Sequence, residues 1–365
     1  MGSCVKEERI DPRPKPTTRV LLAYIGVDNN LSGYEQEKID GLRKGWTGRT
    51  SDRLLAYVDT YGTGASLYEL SVAPGSDLLL IKSYGAEDSA DPETFRRVID
   101  TVIRDCPAEQ ASLLVFSHAS GWLPRGALSD PYKTNQTRSI IVDGNEEMEL
   151  ADFANAIPDG VFEYIVFETC FMAGIEVAYE LRNKADYILA SSAEIVHPGF
   201  TYVYETATEK LINNDIRGFG EKVFGHVLTY ADDQLQHSAT YSVIRTSALE
   251  ALAGFIRQNC DFTKAVDVFD VQHFDRYSYR LFFDFEDYYS RLLETDAQRT
   301  ELARLVNDCI LWEAATPGFM NQQSGYNGFS IAKHSGLTTY ILQDQFTGLN
   351  QCYRELQWSA AIDMP

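Results

Sequence analysis

Two side chains in this sequence are of types that do covalent chemistry together. His118 closes the run ASLLVFSH (111–118) and Cys170 closes the run FEYIVFETC (162–170). Both runs are dense in β-branched and aromatic residues, which predicts buried strands. One helical stretch, EMELADFANAI (147–157), lies between them, and if the sheet is parallel there the two strands are joined by one crossover. Parallel strands joined in this way end on the same edge, where open α/β sheets bind their ligands. A thiol facing an imidazole at that edge is suited to acyl transfer. The sulfur attacks a carbonyl, and the imidazolium then protonates the leaving amine. The developing oxyanion needs donors, and the backbone N–H groups of Ala119, Ser120, Gly121 and Cys170 are the natural ones.

Cys170 is followed by an amphipathic stretch in which Ile175, Val177, Ala178 and Leu181 fall on one side. A helix starting there would favour the thiolate through its unpaired N–H groups. Taken singly, a cysteine at a strand end reads as core and a lone histidine as a satisfied polar group. It is their matched placement that favours the chemical reading.

The elements that must position the pair follow from the same patterns. RVLLAYIGVDNN is an apolar strand stopped by Asp28-Asn29-Asn30, a helix spans roughly 34–45, and RLLAYVDT (53–60) is a second strand. SLYELSVA and DLLLIKSY predict a hairpin. Asp91-Pro92 predicts a helix start, with the carboxylate as N-cap and the proline at the first helical position. Further strands are expected at 139–144, 186–195 and 238–246, and helices from Phe200 and at about 216–234. From 247 the chain reads as mainly helical, through FEDYYSRLLETDAQRTELARLVNDCILWEAA, before strands at GFSIAK and TTYILQD and a last helix near Trp358. Alternation of strand and helix predicts an α/β fold, a mostly parallel central sheet with helices on both faces. Three regions are expected: a tether over 1–18, a catalytic core over 19–246, and a mainly helical part over 247–365 that returns strands to the core.

Composition narrows the function classes. A formal net charge of −21 repels phosphate and excludes nucleic acid as the expected partner, while it would steer cationic ligands inward. No apolar run is long enough to span a bilayer as a helix. The six cysteines show no CxxC pair or regular spacing, so neither a zinc ribbon nor a disulfide framework is indicated. Cys106, Cys260, Cys309 and Cys352 read as small buried hydrophobes. No metal or cofactor and no second subunit is called for. Residues 1–18 are polar and proline-rich, as expected of a tether. Cys4 after Gly2-Ser3 is similar to the end of a bacterial lipoprotein processing site, which predicts an extracytoplasmic, lipid-anchored chain; an incidental cysteine is the alternative.

The segment LLVFSHASGW resembles the histidine motif of the clostripain-like cysteine peptidases, relatives of the caspases, legumains and gingipains. FETCFMAGIEVAYEL resembles that family's cysteine motif, with Cys170, Met172 and Glu176 through Leu181 in register. VLLAYIGVDNNL and NGFSIAK, with Trp358 beyond, resemble its N- and C-terminal segments, so the likeness spans about residues 19 to 360. It implies a caspase-like three-layer sandwich and a cysteine endopeptidase that cuts peptides and proteins after Arg or Lys. In that scheme His118 is the general acid/base and Cys170 the nucleophile, working as a dyad. The family's acidic residue two positions before the nucleophile corresponds to Glu168, whose unpaired carboxylate would take a guanidinium or ammonium group. Glu194, in ASSAEIVHPG, is implied as a second pocket wall. Some relatives bind calcium, and some mature by self-cleavage, for which Lys133 and Arg138 are the basic candidates between the motifs. Two departures stand out. Glu168 replaces Asp, and Ala119 replaces the glycine after the histidine, which is awkward if that position needs φ > 0. Ala119 is what favours the alternative reading, an inactive pseudopeptidase kept as a peptide-binding surface protein.

Overall fold

The computed structural model describes residues 17–48, 51–70, 78–132, 140–144, 146–229, 237–321 and 325–364. Cys4 and most of the proline-rich tether, together with Lys133 and Arg138, lie outside these residues.

Nine strands form one sheet: β1 (Thr17–Val27), β2 (Asp52–Thr60), β3 (Ala65–Glu69), β4 (Leu79–Gly85), β5 (Ala108–Phe116), β6 (Phe162–Glu168), β7 (Ala185–Ser191), β8 (Thr240–Arg245) and β9 (Ile310–Ala315). Their order across the sheet is β9-β8-β7-β6-β5-β1-β2-β3-β4. From β2 to β7 every neighbour is parallel, and both edges are antiparallel. The expected hairpin is the β3–β4 pair.

Alternation along the central strands sorts side chains onto two faces. In β1, Val20, Leu22 and Tyr24 join one apolar cluster, whereas Leu21, Ala23 and Ile25 join the other. The second face is covered by α1 (Glu35–Lys44), α5 (Thr201–Ile212) and α6 (Ile216–Thr229). The first is covered by α2 (Pro92–Asp105), α3 (Leu150–Ala156), α4 (Ile175–Glu180) and α7 (Leu249–Asn259). Strands apolar on both sides require such double cover, because each fully buried large side chain contributes roughly 1.5–3 kcal/mol only when both faces are dry. The result is the expected three-layer α/β sandwich. Local signals also hold: the Asp91 carboxylate accepts from Thr94 N–H at 2.9 Å, with Pro92 at the helix start.

Three boundaries differ from expectation. β1 begins at Thr17, inside the stretch assigned to the tether, because its N–H reaches Pro107 O at 3.1 Å. The long helical stretch after 284 is two helices, α8 (Phe285–Leu292) and α9 (Asp296–Cys309), the second opened by a capping box between Thr295 and Gln298. ILWEAA does not continue that helix: β-branched and aromatic residues there pair antiparallel with β8 as the sheet's edge.

The strands expected near the end are two-residue ribbons. Phe329–Ser330 pairs with Gly318–Phe319, and Thr338–Thr339 with Phe283–Asp284. The C-terminal region, ending in α10 (Thr347–Arg354) and α11 (Gln357–Ala361), shares the first apolar cluster with the core strands. Glu176 of α4 ties it down, accepting from Tyr340 N–H at 2.9 Å and the Thr339 hydroxyl at 3.1 Å. Cys106 and Cys309 are buried thiols without a disulfide, and Cys260 is half-buried.

Candidate active site

Sheet register brings His118 and Cys170 together. Phe116 of β5 is the parallel partner of Glu168 in β6, and the histidine and the cysteine each stand two residues beyond those partners. Both line one cavity of about 480 Å3 at the carboxyl edge of the sheet. This is where parallel strands leave loops and unpaired backbone to meet a ligand.

His118 is held by a residue to which sequence reasoning gave no role. Its Nε2 lies 2.6 Å from Oδ1 of Asn30, in the turn after β1. An amide oxygen only accepts, so Nε2 carries the hydrogen and Nδ1 is left with the lone pair. β1 is the neighbour of β5, which brings Asn30 to the histidine; the signal in the sequence was the polar stop Asp28-Asn29-Asn30. Partial burial lowers the pKa of His118 from its ordinary value, favouring the neutral ring.

Cys170 sits differently from expectation. The helix does not follow at once: a turn over 169–174 intervenes, and α4, six residues long, starts at Ile175. The thiol therefore lies outside the first turn of a helix, where the N–H groups that favour a thiolate are found. Burial pushes the thiol up to about 12, only partly offset by the Ile195 N–H, whose nitrogen lies 3.4 Å from the sulfur. The resting pair is thus a neutral thiol and a neutral imidazole.

The turn is tightly fixed. Phe171 has φ 62 and is buried against Phe282 in a stacked pair with centroids 4.4 Å apart. Its N–H donates to Ala193 O at 3.0 Å, and Ala173 N–H donates to Ser191 O at 3.0 Å. Gly121, at φ 64, packs its α-carbon against this turn; a Cβ there would stand 2.6 Å from Phe171 O. Ala119, in contrast, is not among the described non-glycine residues with positive φ, so its methyl group imposes no left-handed strain. The glycine that the loop requires is the one it has, two residues later. Among the described residues, the N–H groups of Ala119, Ser120, Gly121 and Cys170 donate to no protein acceptor.

Glu168 lines the cavity, but its carboxylate is not unpaired. Oε1 accepts from Lys38 Nζ at 2.6 Å and from Phe200 N–H at 2.6 Å, and Oε2 accepts from the Tyr204 hydroxyl at 2.6 Å. Glu194 is also taken, by a bidentate pair with Arg276 at 2.6 and 3.0 Å. The free acidic floor implied by the sequence is therefore filled by the protein's own cations. Lys38 was detectable only as a lysine four residues before Leu42, on the buried side of α1. Among the described residues, no group of three or more His, Cys, Asp or Glu side chains is arranged to hold a metal ion.

The doubly covered sheet has counterparts among cysteine proteases of known structure. The chain superposes on the structure of an inactive zymogen C11 protease from Parabacteroides distasonis with a TM-score of 0.82 and 28% identity, covering 96% of this chain and 99% of that one. A secreted C11 cysteine protease from Bacteroides thetaiotaomicron, solved with an irreversible peptide inhibitor, gives a TM-score of 0.81 at 24% identity over 95% of this chain and 99% of that one. The chain belongs to the clostripain family, whose profile matches residues 23–364. Clostripain of Hathewaya histolytica is 25% identical over 218 residues, half of this chain and 40% of that protein's length.

Proposed function

We propose that this protein is a cysteine endopeptidase in which Cys170 is the nucleophile and His118 its acid/base partner. The observation that carries the reading is the β5–β6 register, which sets both residues at one strand edge and in one cavity. Family membership supports the reaction class. With the thiol and imidazole both neutral at rest, His118 Nδ1 takes the thiol proton as sulfur bonds to the substrate carbonyl carbon. The resulting imidazolium gives that proton to the leaving amine as the peptide bond breaks, and water then hydrolyses the thioester with His118 again as base. The N–H groups of Gly121 and Cys170 are donors for the oxyanion.

The reading extends to cleavage after Arg or Lys, which the family resemblance implies; Glu168 lines the cavity with its carboxylate paired to Lys38. An extracytoplasmic location is suggested by the secreted relative of known structure; lipid on Cys4 rests on the N-terminal Gly-Ser-Cys pattern, and among the described residues no helix is long and apolar enough to cross a membrane.

The test is incubation with a peptide acyloxymethyl ketone library, followed by mass spectrometry. Modification of Cys170, with His118→Ala lowering the labelling rate, supports the reading. Absence of labelling at Cys170 together with equal peptide turnover by Cys170→Ala would sink it.

A further inference from the structure

A second cavity, of about 530 Å3, adjoins the one that holds Cys170. Tyr277 lines both, and the bidentate Arg276–Glu194 pair reaches from one to the other, Glu194 lining the catalytic cavity and Arg276 the second. The second cavity also presents an arginine that has no carboxylate partner among the described residues. Arg280 Nη1 donates to the carbonyl oxygens of Val268 at 3.5 Å and Phe269 at 3.2 Å, and the guanidinium lies 4.7 Å from the centre of the Phe269 ring. These contacts hold the group in place. Its Nε and Nη2 donate to no acceptor among the described residues, although the chain carries a formal net charge of −21.

Asp275 is the one carboxyl among the described residues that line this space, and it is 1% exposed. Its Oδ2 accepts from the N–H groups of Leu281 at 2.8 Å and Phe282 at 3.0 Å, whereas Oδ1 has no hydrogen-bond partner. His273 Nδ1 stands 4.0 Å from Oδ1 and donates instead to Asp275 O at 3.0 Å. Burial, then Arg280, push that imidazole down to about 4, so it is neutral and makes no ion pair with the carboxyl. Burial pushes Asp275 itself up to about 7. With Oδ2 engaged by two backbone donors, the proton belongs on Oδ1, which leaves an O–H donor on a residue that lines the cavity.

A carboxylate entering this cavity meets the free Nε/Nη2 edge of a guanidinium, the geometry that such a fork recognises with two parallel hydrogen bonds. An ammonium or guanidinium would meet like charge, and an apolar group would cover Arg280 without pairing it. We propose that this cavity is a second subsite of the peptidase, that it takes the carboxylate of a Glu or Asp side chain near the scissile bond of the substrate, and that Arg280 is its anchor. This inference rests on the peptidase reading above and concerns a substrate residue other than the one whose carbonyl is attacked.

Internally quenched peptides test this on the full chain. Each keeps Arg or Lys, whichever is cleaved faster, at the attacked residue, and carries Glu, Gln or Lys in turn at each of the four positions before it and the two after. At one of these positions the wild type is expected to show kcat/KM about fivefold or more higher for Glu than for Gln, with Lys below Gln. A smaller Glu-to-Gln ratio at every position overturns the subsite and leaves the peptidase reading intact. No turnover of any peptide, with no labelling of Cys170, overturns the peptidase reading and this inference with it. Arg280→Gln is expected to bring the ratio to within about twofold of one, and Arg280→Glu to reverse it in favour of Lys. An unchanged ratio in folded Arg280→Gln overturns the role of Arg280. Should these variants not fold, the wild-type ratio must still fall as salt is raised from about 0.05 to about 0.5 M, and a ratio that salt leaves unmoved overturns the charge pairing.

Discussion

The imidazole Nε2 of His118 donates to Oδ1 of Asn30 across 2.6 Å, and this contact leaves Nδ1 as the ring nitrogen with the free lone pair. Asn30→Ala should leave folding nearly unchanged but lower kcat about tenfold to a hundredfold, since a freed ring loses its attack geometry. Asn30→Asp should restore the orientation and, by placing a carboxylate beside the ring, shift the acidic limb of the rate profile upward. A profile unmoved in Asn30→Asp would show that the residue only fills space.

The pH dependence follows from two shifts. Burial lowers His118, so the base form is gained as pH rises through a midpoint below the ordinary 6.5. Burial pushes Cys170 up to about 12, so no thiolate limb falls within the usual assay range. kcat/KM should therefore rise with a midpoint below about 6.5 and stay level to about pH 9. A bell with a descending limb near pH 8 would contradict the neutral resting pair.

Ala119 and Gly121 should respond oppositely to exchange. Ala119→Gly removes a methyl at a position without positive φ, and should cost only about 0.4–1 kcal/mol of stability while keeping activity within about twofold. Gly121→Ala places a Cβ 2.6 Å from Phe171 O at a φ of 64, so it should cost about 1–3 kcal/mol and abolish most turnover by displacing the turn that carries Cys170. Thermal melts and kcat/KM of the two variants decide this.

Away from the site, Asp59 is raised to about 8, chiefly by burial and then by its neighbour Asp143. In the unfolded chain an aspartate titrates near 3.9, so folding favours the protonated form. Stability held below pH 4 should be lost as pH rises through about 8. Asp59→Asn, which cannot ionise, should melt a few degrees higher than the wild type at pH 8.5 and flatten the fall in Tm from pH 4 to 8.5. Parallel Tm curves for the two proteins would refute it.

Much of the sandwich was legible because strands buried on both faces leave continuous apolar runs, and because Asp91-Pro92 is a strong helix start. The edge strand Ile310–Ala315 was not legible, since a short run after a helix cannot be told from its last turn until a partner strand is present. The same limit applied to the helix after Cys170, where Thr169 through Gly174 carry no periodic signal and are shaped by contacts with Gly121, Ser191 and Ala193.

The sequence alone determined that His118 and Cys170 meet, because two apolar runs ending in them set both residues at one edge wherever the strands are parallel. Only the tertiary structure decided what surrounds them. Asn30, Lys38 and Arg276 reach the site from other elements, and whether a carboxylate is free or paired depends on charges distant in sequence. Glu168 reads as an open anion along the chain and is a closed ion pair in the fold, because burying a carboxylate is tolerable only when hydrogen-bond donors and a counter-charge are buried with it.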